Sequence, residues 1–270
     1  MKKHILSLIL LVTIMFRVVS QTPNKSSVVI DSKEYESLKK QGKLSKDISL
    51  VSPQSFTPTL NDLKSLGVTH QMQSGGSACS CYIVPDNTYS LAMPRNDDNS
   101  GPLLNIPFNF CLYGTTYNSL YINNNGNVSF DSPYSTFSSN PFPDPSFVMV
   151  APFWGDVDTR GLNGGYVWYK ITPTAMYVNW EAVGWYDETY SPHTPLFNTF
   201  QLIITDGNDP ILPSGNNIAF CYGDMQWTTG DASGGTDGFG GTNVGASPAT
   251  VGVNWAELEP EVASVVPPLL

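Results

Sequence analysis

From residue 76 onward the chain is a succession of short runs rich in Val, Ile, Tyr, Phe and Trp, separated by clusters of Gly, Pro, Asn and Asp. That rhythm is the strongest constraint on the fold. β-branched and aromatic side chains fit a pleated surface, and Gly, Pro, Asn and Asp supply the turn geometry between strands. Apolar residues at i, i+3, i+4 and i+7 are not sustained anywhere in this part, so helix has no strong candidate there. The runs predict strands at 82–84, 88–92, 104–110, 119–122, 128–130, 147–152, 165–171, 175–183, 198–205 and 217–222. The segment Ile122 to Val128 reads as a hairpin, because Asn125-Gly126 readily adopts the positive φ angles of a tight turn. The expected fold class is all-β: an antiparallel sandwich or barrel-like domain over 76–254, preceded by a short, partly helical leader.

The ends have a different character. Lys2, Lys3 and His4, the apolar stretch Ile5–Phe16, and the small residues up to Ser20 predict a signal peptide over 1–20. Residues 21–75 form a polar, Lys-rich leader and linker with few apolar residues, expected to be a flexible or loosely docked arm with a short helix at 59–66. Residues 255–270 make an atypical Val/Pro/Leu-rich tail and read as the end of a truncated or altered chain. No later segment offers the roughly 20 apolar residues of a spanning helix, so no membrane span is expected.

Export agrees with the cysteines. Cys79, Cys81, Cys111 and Cys221 are an even set in a secreted chain, which predicts two disulfides. Sequence alone leaves three connectivities open. We favour Cys81 with Cys111, brought opposite each other by the 92–103 loop, and Cys79 with Cys221.

Charge is segregated. Segment 66–270 holds Arg95, Arg160 and Lys170 against eighteen Asp and Glu, giving 3 − 18 = −15. Such a domain repels nucleic acid, whose recognition depends on Lys and Arg, and attracts cations, of which extracellular calcium is the natural one. Asp156, Asp158 and Arg160 lie two residues apart and would share one face of a strand. A structural ion pair of Arg160 with Asp156 and Asp158 is the leading expectation; a cation site at the two Asp is the alternative. The Gly-rich loop 223–245 adds Asp224, Asp231 and Asp237 as further possible ligands, though turn formation is the favoured reading of them. No cofactor other than calcium is suggested.

Catalytic signatures are weak. Ser233 sits in a Gly-rich loop, but a serine nucleophile needs a base, and only His193 in a Pro-rich loop is available. Trp154, Trp168, Trp180, Trp185 and Trp227 are expected mostly in the core rather than stacked in a row on sugars. Tyr186, Asp187, Tyr190 and His193 fall in a predicted loop and are the candidate contact surface.

Three blocks then become recognisable: Ala151–Arg160 with 165–169, Asn198–Gly207, and Tyr222–Gly235 continuing through 238–242. In this order they resemble the nidogen-like (NIDO) extracellular domain, and Phe110–Gly114 with Ile122–Phe130 is similar to its opening strands. We expect a secreted or surface member of the bacterial type. The resemblance implies a non-catalytic adhesion role, with an extracellular-matrix protein, a cell-surface protein or a glycan as partner. A carbohydrate-binding, lectin-like protein is the alternative, and a glycosidase a distant third.

Overall fold

The computed structural model describes residues 32–44, 50–51, 81–161, 164–187, 196–213, 215–240 and 245–255. In chain order these form α1 (Ser32–Lys40), β1 (Leu50–Val51), β2 (Ser90–Leu91), β3 (Asn96–Asp97), β4 (Leu104–Leu112), β5 (Thr115–Asn123) and β6 (Asn127–Ser129). There follow β7 (Met149–Trp154), β8 (Val157–Asp158), β9 (Tyr166–Ile171), β10 (Ala175–Trp185), β11 (Asn198–Thr205), β12 (Ile218–Met225), a 3₁₀ turn (Asp231–Ser233) and β13 (Thr250–Asn254). The domain is all-β, as the residue pattern predicts.

Two antiparallel sheets face each other. One runs β13-β7-β6-β5-β4; the other runs β1-β3-β8-β10-β11-β12, with β9 also on β10 and β2 beyond β9. In β4 the side chains of Ile106, Phe108, Phe110 and Leu112 point inward while their neighbours are exposed, the period of two of a sheet with one wet face. β7 and β11 are buried along their whole length, because each is a central strand covered on both faces. Between the sheets, Trp180 stacks on Phe200 with centroids 5.1 Å apart, and Phe153 meets Trp227 edge-on at 5.0 Å. Each such buried side chain contributes about 1.5–3 kcal/mol. Trp154, Trp168, Trp180, Trp185 and Trp227 are all buried, as core residues should be.

β10 is the strand that positions the functional region. Its first part pairs with β9 up to Glu181↔Tyr166, and its last two residues pair with β8 on the same side. The pairing with β11 shifts between Trp180 and Val183, where Ala182 takes a positive φ of 48°. This bulge bends the strand, so the sheet divides and the short strands β8 and β3 branch off beside β9.

Several expectations need correcting here. The predicted strand 82–84 is extended chain without a ladder. The Ile83 N–H donates to Gln201 Oε1 at 3.1 Å, and the Ile83 carbonyl accepts from Gln201 Nε2 and Asn179 Nδ2 at 2.9 and 3.1 Å. Side-chain amides take the place of a neighbouring strand. β1, β3 and β8, two residues each, have no run long enough to read from sequence. The leader is not a loose arm in its described part. α1 forms at 32–40, where Lys39 and Lys40 suit the C-terminal end of the helix dipole, and it packs Tyr35 and Lys39 against the domain at 0% and 1% exposure. The helix expected at 59–66 lies outside the described residues.

The disulfide expectation is also corrected: Cys81 pairs with Cys221, with Cα atoms 5.6 Å apart. The 92–103 loop does not bring Cys81 to Cys111, because the extended segment at 81–83 lies along the β10–β11–β12 sheet rather than beside β4. Cys111 is an exposed free thiol on β4, and Cys79 lies outside the described residues.

Candidate functional site: a buried lysine in an aspartate socket

Adjacent residues on a strand point to opposite faces. Asp97 ends β3, and Asp98 follows with a positive φ of 55°, a conformation that Asp tolerates better than most residues. The turn cancels the alternation and lets both carboxylates meet one partner. That partner is the Lys39 ammonium, 2.8 Å from Asp97 Oδ2 and 3.0 Å from Asp98 Oδ2. Asp156, immediately before β8, completes the socket with Oδ1 at 2.9 Å.

Tyr35 and Lys39 lie four apart, on one face of α1. The Tyr35 hydroxyl lies 2.8 Å from both Asp97 Oδ2 and Asp98 Oδ2 and shares its one proton between them. Lys39 Nζ also lies 4.0 Å from the centre of the Tyr186 ring and 4.6 Å from that of Phe137, so aromatic faces complete the cation's surroundings. The second cation is Arg160. Its guanidinium grips Asp158 through Nε at 2.9 Å and Nη2 at 2.6 Å, and reaches Asp97 Oδ2 at 3.2 Å.

The floor comes from the other sheet. The β5–β6 turn carries Asn123, Asn124, Asn125 and Asn127, all buried. Asn125 Nδ2 donates to Asp98 Oδ1 at 2.8 Å, and its Oδ1 accepts from the Val157 N–H at 3.0 Å. Asn124 Nδ2 donates to the Val157 carbonyl, and Trp180 Nε1 donates to the Asn124 carbonyl at 3.1 Å. Gly126 has φ +77°, and a Cβ there would overlap the Phe153 carbonyl. A hairpin turn normally faces water; this one is driven into the protein and joins the sheets beneath the socket. From the far side Gly230 packs directly on Asp156, where a Cβ would collide with the carboxylate.

Four carboxylates and two basic groups share this space, all buried or nearly so. Burial pushes Asp98 up to about 6, with Asp97 adding to the rise and Lys39 opposing it. Burial also lifts Asp156 well above the ordinary carboxylate range, with Lys39 pulling the other way and Asp98 and Asp97 adding to it. Asp158 rises by burial and by Asp97 against Arg160. For Asp97, burial is outweighed by Lys39 and Arg160, and it stays low. Burial would lower Lys39, but Asp156, Asp97 and Asp98 together hold it above the usual lysine range. The lysine stays charged, and the surplus negative charge is relieved on Asp98, Asp156 and Asp158.

Of the residues predicted from sequence, Asp156 and Asp158 reach this cluster, but not as one pair with Arg160. Arg160 takes Asp158 and Asp97, and Asp156 belongs to Lys39. The strand β8 holds only Val157 and Asp158, so the common face assumed for 156, 158 and 160 does not exist. Among the described residues, the acidic groups close enough to hold a metal together are Asp97, Asp98 and Asp156. Asp158, Asp224, Asp231 and Asp237 are outside that trio. Asp224 and Asp237 are exposed, and Asp231 opens the 3₁₀ turn with its N–H on the Tyr186 carbonyl at 2.9 Å. Tyr186 is not a contact surface, since it is fully buried under Lys39. Asp187 is half-buried, and Tyr190 and His193 lie outside the described residues. The Ser233 hydroxyl lies 2.9 Å from Ser138 Oγ. Sequence reasoning missed Tyr35, Lys39, Asp97, Asp98 and Asn125. The signals were present: an i, i+4 Tyr/Lys pair, and the run Asn96-Asp97-Asp98-Asn99.

The site thus joins two packed β-sheets to the helix α1 through a buried charge cluster. The family profile described as NIDO related matches residues 82–266, and the chain belongs to that family. Alpha-tectorin of Gallus gallus is 32% identical over 53% of this chain and 8% of its own length; that of Homo sapiens is 32% identical over 53% and 7%. Nidogen of Drosophila melanogaster is 25% identical over 53% of this chain and 12% of its own. The chain thus spans only about a tenth of these relatives. No solved structure matches. These relatives are animal proteins and give no support to a bacterial-type member. Alpha-tectorin and nidogen are extracellular matrix proteins, and this protein is extracellular. Among the described residues no helix is long and apolar enough to cross a membrane.

Proposed function

We propose that the protein is a non-catalytic adhesion module that engages an extracellular-matrix or cell-surface protein. One observation carries this reading: among the described residues, the largest convergence of ionisable side chains is sealed. Lys39, Asp97 and Asp156 have side chains at 0% exposure, so the cluster has no path for a substrate and holds the leader to the sheets. What the domain presents outward is different in kind. Tyr113, at the β4–β5 turn, is 59% exposed and lies against Trp255, 36% exposed, with ring centroids 4.1 Å apart. Tyr and Trp are the residues that most often anchor protein contacts.

The same exposed ring pair favours a second reading, since aromatic faces also stack on sugars. One experiment separates them: binding of the purified protein to a panel of immobilised matrix proteins and to a glycan array, repeated with Tyr113→Ala/Trp255→Ala. Binding to a matrix protein that the double variant loses supports adhesion through this surface. Binding confined to glycans moves the assignment to a lectin. Turnover of a labelled glycan overturns the non-catalytic reading.

A further inference from the structure

The aspartate socket is built to hold a cation, and its present cation is a side chain. Three carboxylates from two separate segments place one oxygen each around a single point, now filled by Lys39 Nζ at 2.8–3.0 Å. A second observation indicates unused coordinating capacity. Asp97 Oδ1 and Asp156 Oδ2 are fully buried and make no hydrogen bond. Both belong to carboxylates that hold the ammonium through the other oxygen. A lysine ammonium donates no more than three hydrogen bonds, whereas a divalent ion can take both oxygens of a carboxylate. Charge points the same way. Among the described residues, the cations in ion pairs with Asp97, Asp98, Asp156 and Asp158 are Lys39 and Arg160, so this group of six carries −4 + 2 = −2 when fully ionised.

We propose that Asp97, Asp98 and Asp156 form a divalent-cation site of the calcium class whose resident occupant is the Lys39 ammonium, so that docking of α1 and binding of the ion exclude each other. The occupant sits on a nine-residue helix, which also brings the Tyr35 hydroxyl, while the three carboxylates are carried by segments outside that helix. Asp97 and Asp98 are placed by β3 and Asn125, and Asp156 by β8 and Gly230. Bringing the oxygens from the ammonium distance to the 2.3–2.6 Å of calcium is a shift of about 0.4 Å, whereas magnesium's 2.0–2.1 Å and octahedral demand require about twice that. Calcium is therefore favoured over magnesium. The inference stands apart from the adhesion reading and survives if no matrix partner is found.

The test uses the full chain and its Lys39→Met variant, which keeps length and loses the charge. Calcium binding is measured by isothermal titration, with magnesium at matched ionic strength as the control. The variant should bind calcium at least about tenfold more tightly than wild type, within the 10⁻⁴–10⁻³ M range of extracellular calcium modules. Its melting temperature should rise with calcium by more than wild type's, and Asp97→Asn/Asp156→Asn added to the variant should abolish the gain. Equal calcium affinity in variant and wild type, or a gain that survives the double Asn change, overturns the proposal. If Lys39→Met does not fold, lysine-reactive footprinting of the wild-type chain decides. Lys39 should be protected in chelator and become modified in millimolar calcium but not in magnesium, with exposed Lys40 reactive throughout. Protection unchanged by calcium overturns the proposal.

Discussion

Replacing Arg160 by Ala removes one of the two cations from a cluster of four buried aspartates. In the structure Arg160 is 3% exposed at its side chain, holds Asp158 through Nε and Nη2, and reaches Asp97. Removing one partner of a buried pair leaves an uncompensated charge and costs about 3–5 kcal/mol, whereas an exposed pair is worth about 0–1 kcal/mol. Two carboxylates lose a partner here, so the upper part of that range is expected at neutral pH. The loss should shrink on acidification. Asp98 already lies at about 6 in the folded protein against 3.8 as its ordinary value, so between those pH values the folded state binds more protons than the unfolded. Stability from such a group rises as pH falls through about 6 towards about 4. Without the guanidinium, Asp158 and Asp97 lose an influence that lowers them, join Asp98 in taking up protons, and recover part of the deficit. Urea denaturation of both proteins in chelator, at about pH 7 and about pH 5, should give a difference that is large at the first and smaller at the second. A difference below about 1 kcal/mol at neutral pH would refute the buried-cluster reasoning. A difference that grows on acidification would refute the assignment of protons to the aspartates.

Further outcomes follow from neighbouring contacts. Peptide mapping of unreduced protein should recover Cys81 linked to Cys221, and Cys221→Ser should cost about 2–5 kcal/mol; a Cys81–Cys111 peptide would contradict the pairing. Tyr35→Phe keeps the ring but removes the one hydroxyl proton shared between two carboxylates, worth about 1.5–3 kcal/mol. It should increase Lys39 reactivity in footprinting, and an unchanged Lys39 would mean that the hydroxyl does not help dock α1. Gly126→Ala forces a Cβ onto the Phe153 carbonyl at a φ of +77°, and should abolish secretion of folded protein. Normal yield and melting temperature would show that the buried turn can shift.

Much of the fold can be read from the residues because its causes are local. The alternation in Leu104–Leu112 and the continuous apolar character of Met149–Trp154 state which strand has one wet face and which is central, whereas the full burial of Asn198–Thr205, half of it polar, is not stated by its residues. Asn125-Gly126 announces a hairpin, and the tryptophans announce a core. The site was far less legible. Counting charge over 66–270 left Arg160 as the nearest cation for Asp156, because Lys39 stands 117 residues away and looked like part of a polar leader. Tyr186 read as loop surface because nothing in its neighbours reveals that a helix from the far N-terminal side covers it.

Composition and spacing therefore determined the all-β class, the approximate places of the longer strands, the acidity, and the family blocks. Each depends on a residue and its near neighbours, which is information a one-dimensional pattern contains. Tertiary structure alone decided that the Asn-rich turn is buried, that Cys81 joins Cys221 across 140 residues, and that the acidic centre is closed by a lysine from the leader. Those outcomes rest on burial and on charges brought together from distant segments. A carboxylate's cost and partner are set by what surrounds it in space, and only the folded chain specifies that.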